Sequence, residues 1–332
     1  MVIKTNPEFG IELVLTIPYA YYLHTQGKLE QVITSKGMKP FYYFCDNVID
    51  ELEYRSIDNE HAGLNSLPNN WIHHNAEKVF GTEYSNLSKD DQAKANGYLD
   101  YSEWKCPPYR DHFKDDSLKL DKPTIFVSNK YNIEHGEMPH GYFDIMCLYE
   151  IFTYLTEKGY SVIYKRATNK EGFTIDQNEW QTLNSNLNKG IIADVDGIGP
   201  ITDHQLTKYF KDVYLVDDLI GDNDYNETQL KLMANSSGFI SVCGGNSVLS
   251  SCFEAPVITY VHKGKELRPQ YFDENSYFRK LSGADIYPVF DIITKINDID
   301  KLKEWGYQDD QFNYSRTNDY TTLLNTIKTV FK

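Results

Sequence analysis

Basic residues are in short supply: 33 Lys and Arg stand against 48 Asp and Glu, a formal net charge of −15. Such a surface opposes nucleic-acid backbones and anionic membranes, and no dense basic block relieves it, since Lys36 to Lys39 and Lys119 to Lys122 are thin clusters. Nucleic acid is set aside as a partner. Cysteine is also sparse. The five residues (Cys45, Cys106, Cys147, Cys243, Cys252) form no C-x-x-C pair and leave an odd one over, which fits neither a disulfide framework nor a zinc site. Long apolar runs are missing too: MVIKTNPEFG has no signal-peptide h-region and nothing reaches membrane-spanning length. The expectation is a cytoplasmic protein with reduced cysteines and no transmembrane segment. Internal repeats and low-complexity tracts are absent as well.

What is present suits an ordinary globular protein: 332 residues, 41% hydrophobic and 24% charged, enough for two domains with sizeable cores. The first part reads as the start of a small α/β sheet. Strands are expected at Ile11 to Ile17, breaking at Pro18, at Gln31 to Thr34 and at Phe41 to Phe44, with a short helix at Tyr19 to Leu23 and another at Val48 to Tyr54. Asp46, directly after the third of these strands, then stands where ligand-facing groups of an open sheet lie; it is equally placed to cap the following helix. Residues 56 to about 120 are polar, with His61, His73 and His74 scattered among weak periodicity. The adjacent His73 and His74 lack a carboxylate or Cys at ligand spacing and read as a surface loop. KCPPYR, Lys105 to Arg110, reads as a rigid turn or linker.

From Pro123 onward strands and helices alternate. Thr124 to Ser128 is an expected strand, Tyr142 to Lys158 an amphipathic helix stopped by Gly159, and Tyr160 to Tyr164 a strand that delivers Lys165 and Arg166 to its end. Further strands are expected at Ile191 to Ala193 and Val213 to Val216, and helices at His204 to Phe210 and Glu227 to Ala234. Sustained alternation is the pattern of a doubly wound parallel sheet. A closing amphipathic helix, Tyr320 to Phe331, is available to pack back on the first domain, which divides from the second near residue 120.

The most organised stretch is Ser237 to His262, SGFISVCGGNSVLSSCFEAPVITYVH: strand, Gly244-Gly245 turn, short helix, Pro256, strand. Glycines permit a tight turn and a close backbone approach, and Asn246 or Ser247 can cap the helix and leave its first N–H groups facing an anion, most simply a phosphate. The alternative is a plain βαβ unit in which the glycines only turn the chain.

The order of these motifs resembles the GT-B fold glycosyltransferases, which move a sugar from a nucleotide donor across the cleft between two Rossmann-like domains with parallel sheets. The resemblance rests on Pro18-Tyr19-Ala20-Tyr21, Phe41 to Phe44, Ser128 to Asn132 with Glu134, Ile163 to Arg166, GGNSVLSSCF and Lys263-Gly264-Lys265-Glu266. It is similar in these words to polysaccharide glycosyltransferases of bacteria and large algal viruses, best over residues 120 to 290. It implies an α/β protein with an acceptor domain over 1–120 and a donor domain over 121–332. The donor's diphosphate would meet Gly244, Gly245, Asn246 and Ser247 with Lys130 and Arg166 as cations, Val216 to Leu219, Asp218 included, would meet the base, and Lys263 and Glu266 would complete the donor side. The family's general base comes from the first domain, where Asp46 and then His61 are the candidates.

Two other patterns are set aside. Glu266 and Glu274 match the E-x7-E spacing of retaining GT-B enzymes but both follow the Pro-containing strand, while the helix itself carries no carboxylate, which points to an inverting enzyme. Asp194-Val195-Asp196 looks like the metal-binding DxD of GT-A enzymes, but it lies too deep in the chain, so no metal or other cofactor is expected. The rival readings are a nucleotide-sugar epimerase of the same fold and a non-catalytic sugar- or nucleotide-binding module.

Overall fold

The computed structural model describes residues 1–56, 63, 67, 81–95, 103–131, 141–166, 191–195, 199–221, 224–261, 272, 274, 276–290 and 320–332. Its first unit is a three-stranded parallel sheet in the order β1 (Val2–Lys4), β2 (Gln31–Ser35), β3 (Val48–Leu52). Between β1 and β2 the chain is helical: α1 (Phe9–Ile11), a π-helical turn over Glu12–Thr16, then α2 (Ile17–Thr25).

Three expectations fail here, each for a physical reason. Ile11 to Ile17 is helix, not strand. Its residues from Glu12 onward are all buried, so no polar face imprints a helical period on the sequence, and the wide π turn sits just ahead of Pro18, which has no N–H to donate. Phe41 to Phe44 is not a strand either, because Lys39–Tyr42 forms a 3-10 turn whose Phe41 and Tyr42 are fully buried. The strand is instead Val48–Leu52, where a helix is expected; its acidic Asp50 and Glu51 suit the weakly covered edge of the sheet, with Glu51 exposed.

After α3 (Lys89–Ala95) and α4 (Tyr109–Phe113) the second unit begins. In chain order it contains β4 (Thr124–Asn129), α5 (Ile145–Glu157), β5 (Ser161–Arg166), β6 (Ile192–Val195), β7 (Gly199–Thr202), α6 (Asp203–Leu206), β8 (Val213–Leu215), α7 (Val216–Ile220), α8 (Tyr225–Ala234), β9 (Gly238–Val242), α9 (Gly245–Ser251), β10 (Val257–Val261), α10 (Tyr277–Lys280), β11 (Ile286–Phe290) and α11 (Thr321–Val330). β6 and β7 form an antiparallel pair of their own. The other six strands make one all-parallel sheet in the order β11-β10-β9-β4-β5-β8.

β4, β5, β9 and β10 are buried along their whole length, as strands covered on both faces must be. Alternation divides their side chains between two cores: Phe126 and Phe239 join Leu13, Ile17 and Phe41 of the first unit, whereas Ile125, Val127 and Ile240 join α5 and α11 on the other side. The closing helix therefore packs on the second sheet and not on the first domain. Leu323, Ile327 and Phe331 enter that second core, the Tyr154 hydroxyl donates to the Phe331 carbonyl at 2.8 Å and the Tyr320 hydroxyl to the Tyr142 carbonyl at 2.8 Å.

The Pro-Pro segment leads into α4, which bridges the units. Tyr109 donates to the Phe41 carbonyl at 2.9 Å and His112 stacks on Tyr43 with ring centroids 3.6 Å apart. On the other side Arg110 donates to the carbonyls of Ala234 (3.1 Å), Ser236 (2.9 Å) and Phe253. Among the described residues no helix is long and apolar enough to cross a membrane.

Candidate functional site

Strand order locates the site. Moving along the chain from β4, strands are added on one side as β5 and β8, then on the other as β9, β10 and β11. This is the order 3-2-1-4-5-6, and its reversal lies between β4 and β9. Connections leave the two strands on opposite faces there, so a crevice opens beyond their carboxyl ends. The Gly244-Gly245 turn at the end of β9 falls at that crevice.

The two glycines are there for different reasons. Gly244 has φ +143°, ψ −164°, a conformation closed to side chains. Gly245 has ordinary freedom but little space: a Cβ on it would lie 2.9 Å from Phe9 Cδ1 and 3.5 Å from the Gly10 nitrogen. The close approach is thus made by the first unit's α1, where a phosphate was expected. Ser247 is fully buried and closes the turn, accepting from the Gly244 N–H at 3.1 Å and donating to the Gly244 carbonyl at 2.8 Å. Gly244, Gly245 and Asn246 are half-buried at the seam between the units.

At the end of β5 the two basic residues part. Arg166 is buried and committed to Asp203, Nε to Oδ2 at 2.5 Å and Nη2 to Oδ1 at 3.2 Å, so its expected role as a strand-end cation for the diphosphate is corrected to one half of a buried ion pair. Lys165, which faces the other way, donates from Nζ to Asn246 Oδ1 at 2.9 Å and lies 5.9 Å from the Tyr225 ring centroid. Burial, offset in part by Asp217, pulls its ammonium down to about 7. Strand-end reasoning passed over Lys165, the one of the two that reaches the glycine turn, in favour of its neighbour.

Lys130 follows β4 and is half-buried, its N–H donating to Asn129 Oδ1 at 2.9 Å. Val216 is buried and Asp218 exposed, at the start of α7, which follows β8 without a loop. Asp46 is exposed and precedes β3, so it stands at the amino edge of the first sheet, opposite the carboxyl edge where β1 leads to Phe9 and Gly10 against Gly245. The strand-end argument for Asp46 is therefore withdrawn. His61, Lys263 and Glu266 lie outside the described residues, as do His73, His74 and Asp196. Asp194 is in β6. No group of three or more metal-ligating side chains occurs among the described residues.

Sequence reasoning missed a second feature of the first unit. Glu12 is fully buried in the π turn, and its carboxylate accepts from Arg55 Nη1 at 2.6 Å, the Tyr42 hydroxyl at 2.8 Å and the Thr34 hydroxyl at 2.5 Å. Arg55 in turn covers the Phe9 ring at 5.4 Å. A single acid inside IELVLTIP was the available signal.

A parallel sheet in Rossmann order, with a glycine turn opening a helix at its switch point and a smaller parallel-sheet unit packed against that turn, makes this an α/β protein of two parallel-sheet units. No protein-family model matches the sequence, and no curated protein matches it. Among solved structures the chain is similar to the ADP-heptose LPS heptosyltransferase II of E. coli, at 11% identity over 99% of this chain and 98% of that one, with a TM-score of 0.49. It is also similar to E. coli heptosyltransferase WaaC with ADP (11% identity, 91% and 96% covered, TM-score 0.47) and to a family 9 glycosyl transferase from Veillonella parvula (10% identity, 99% and 96% covered, TM-score 0.46). These are similarities of overall arrangement, and the chemistry has to come from this chain's own residues.

Proposed function

We propose that the chain is a cytoplasmic glycosyltransferase that moves a hexosyl or pentosyl group from a nucleotide-sugar to a glycan or other hydroxyl acceptor, with inversion and without a metal. One observation carries the reading: the glycine turn of β9 and α9 coincides with the switch point of the sheet and with the seam against the first unit. A donor lying there has its diphosphate near Gly244 and Asn246, beside the Gly245 backbone that α1 partly covers, with Lys130 at the end of β4 next to it and the base towards Val216 and Asp218 at the end of β8. Lys263 and Glu266, beyond β10, complete the donor side. The acceptor approaches from the first unit across the seam.

The absence of a carboxylate on α9 supports inversion, since no group on that helix is suited to hold a glycosyl intermediate. Inversion needs a base on the acceptor side to take the hydroxyl proton. His61 is the sequence candidate that remains once Asp46 is placed at the far edge of its sheet. Backbone N–H groups and lysines stabilise the leaving diphosphate in place of an ion.

The test is incubation with a panel of nucleotide-sugars. Slow release of nucleoside diphosphate is expected, and it should survive excess EDTA. A changed sugar with no release would make the protein an epimerase, and neither outcome would make it a binding module. Strict dependence on manganese or magnesium would overturn the metal-free mechanism.

A further inference from the structure

Register aligns one polar row across the middle of the second sheet. Lys165 of β5 pairs with Ser128 of β4, Ser128 with Ser241 of β9, and Ser241 with Thr259 of β10. Partners in register point to the same face, so these four side chains form a band near the carboxyl ends of the strands. All are buried: Lys165 is 5% exposed, Ser128 2%, Ser241 1% and Thr259 0%. Burying a polar band costs free energy where its members lack partners: Ser241 donates to the Val242 carbonyl at 2.9 Å, whereas Thr259 Oγ1 has no hydrogen-bond partner among the described residues.

Lys165 is the charged end of that band. Its ammonium carries three donors and has one hydrogen-bond acceptor among the described residues, Asn246 Oδ1 at the glycine turn. The titratable groups that face it are Asp217 on α7 and Tyr225 on α8; β4 and β9 present only the two serines. Arg166, on the opposite face, is neutralised by Asp203 and cannot share the task.

We infer that Lys165 supplies the buried cation that meets the donor's diphosphate, turning its Nζ from Asn246 Oδ1 towards a phosphate oxygen at the switch point. This rests on the glycosyltransferase reading and deepens it. The free ammonium, held near pH 7 by burial, is largely neutral in weakly alkaline solution, and an arriving diphosphate restores its charge. The sign follows: nucleotide binding takes up a proton above pH 7, and affinity falls as pH rises, by about tenfold per unit until the raised ammonium itself deprotonates. Phosphate titration, near pH 6, lies below that window.

The experiment is titration calorimetry of the full chain with ADP and with UDP between pH 7.5 and 9, each pH in two buffers of different ionisation enthalpy. Wild type should lose affinity steadily with pH and take up close to one proton at pH 8.5. Lys165→Met, which removes a buried charge and keeps the stem, should bind at least about tenfold more weakly at pH 7.5, with no pH slope and no proton uptake. A flat wild-type profile overturns the inference while leaving nucleotide binding intact, and it does so even if the variant fails to fold. Equal affinity of wild type and Lys165→Met overturns it too. If neither nucleotide binds wild type, the glycosyltransferase reading itself falls and the inference falls with it.

Discussion

Arg166 and Asp203 form a buried, two-point ion pair, Nε to Oδ2 at 2.5 Å and Nη2 to Oδ1 at 3.2 Å, with the Tyr164 hydroxyl donating to the same carboxylate at 2.7 Å. The Ile191 N–H donates to Oδ1 at 3.2 Å, so the pair fixes β6 and α6 onto the end of β5. Removing the guanidinium leaves an uncompensated buried carboxylate. Arg166→Ala should therefore cost about 3–5 kcal/mol of stability in denaturant unfolding, while the folded fraction keeps its nucleotide affinity. A selective loss of nucleotide affinity with normal stability would restore Arg166 to the donor site.

Gly244 and Gly245 should respond differently to alanine. At Gly244 the penalty is backbone strain, about 1–3 kcal/mol, and no neighbouring side chain can relieve it. At Gly245 the penalty is the Phe9 ring 2.9 Å from the new Cβ, so Phe9→Ala should absorb most of the cost of Gly245→Ala. Denaturant melts of the double-mutant cycle should give a coupling of about 0.5–3 kcal/mol for Phe9 with Gly245 and none for Phe9 with Gly244. Equal costs of Gly245→Ala in both backgrounds would mean the turn does not rest on α1.

Asp46 is exposed at the amino edge of β3. Asp46→Asn should leave unfolding free energy within about 0.5 kcal/mol of wild type and nucleotide-sugar turnover essentially unchanged. A loss of a hundredfold or more, the scale of a missing general base, would put Asp46 back in the mechanism despite its position.

Five of the six strands of the second sheet are legible because they are apolar, β-branched runs between glycine or proline stops, as in Val257–Val261 after Pro256, and the long helix shows one apolar face in Ile145, Leu148, Ile151, Phe152 and Leu155; the edge strand β11, with Pro288 inside it, is not. In the first unit only β2 and the Tyr19–Leu23 part of α2 are legible, because the helix ahead of Pro18 is wrapped on every side. Leu13, Val14, Leu15 and Ile17 are each under 5% exposed, and a helix with no wet face has the pattern of a buried strand. Taking Phe41–Phe44 as a strand in place of Val48–Leu52 puts Asp46 at a carboxyl edge, whereas it stands at the amino edge of β3. In the site, the glycine turn was visible as a word in the sequence, but the partition of Lys165 and Arg166 was not. Strand alternation sends adjacent residues to opposite faces, and only the position of Asp203 decides which of the two is neutralised.

Arg110 gives the last prediction. Its guanidinium accounts for three carbonyls: Ala234, the last residue of α8, Ser236 just beyond it, and Phe253 just after α9. These are helix ends with unpaired carbonyls and partial negative charge, which a cation at a fixed fork satisfies together. The neighbouring Tyr109 and His112 hold Phe41 and Tyr43 of the first unit, so Arg110 is the anchor of the bridging segment on the second. Arg110→Ala should cost about 3 kcal/mol in denaturant unfolding, since charged hydrogen bonds to partly buried carbonyls are lost. Lysine keeps the charge but reaches one carbonyl at a time, so Arg110→Lys should recover less than half of that loss. Full recovery by lysine would show that charge alone matters at this position, and an unchanged Arg110→Ala would show that the bridge is held by the Tyr109 and His112 side alone.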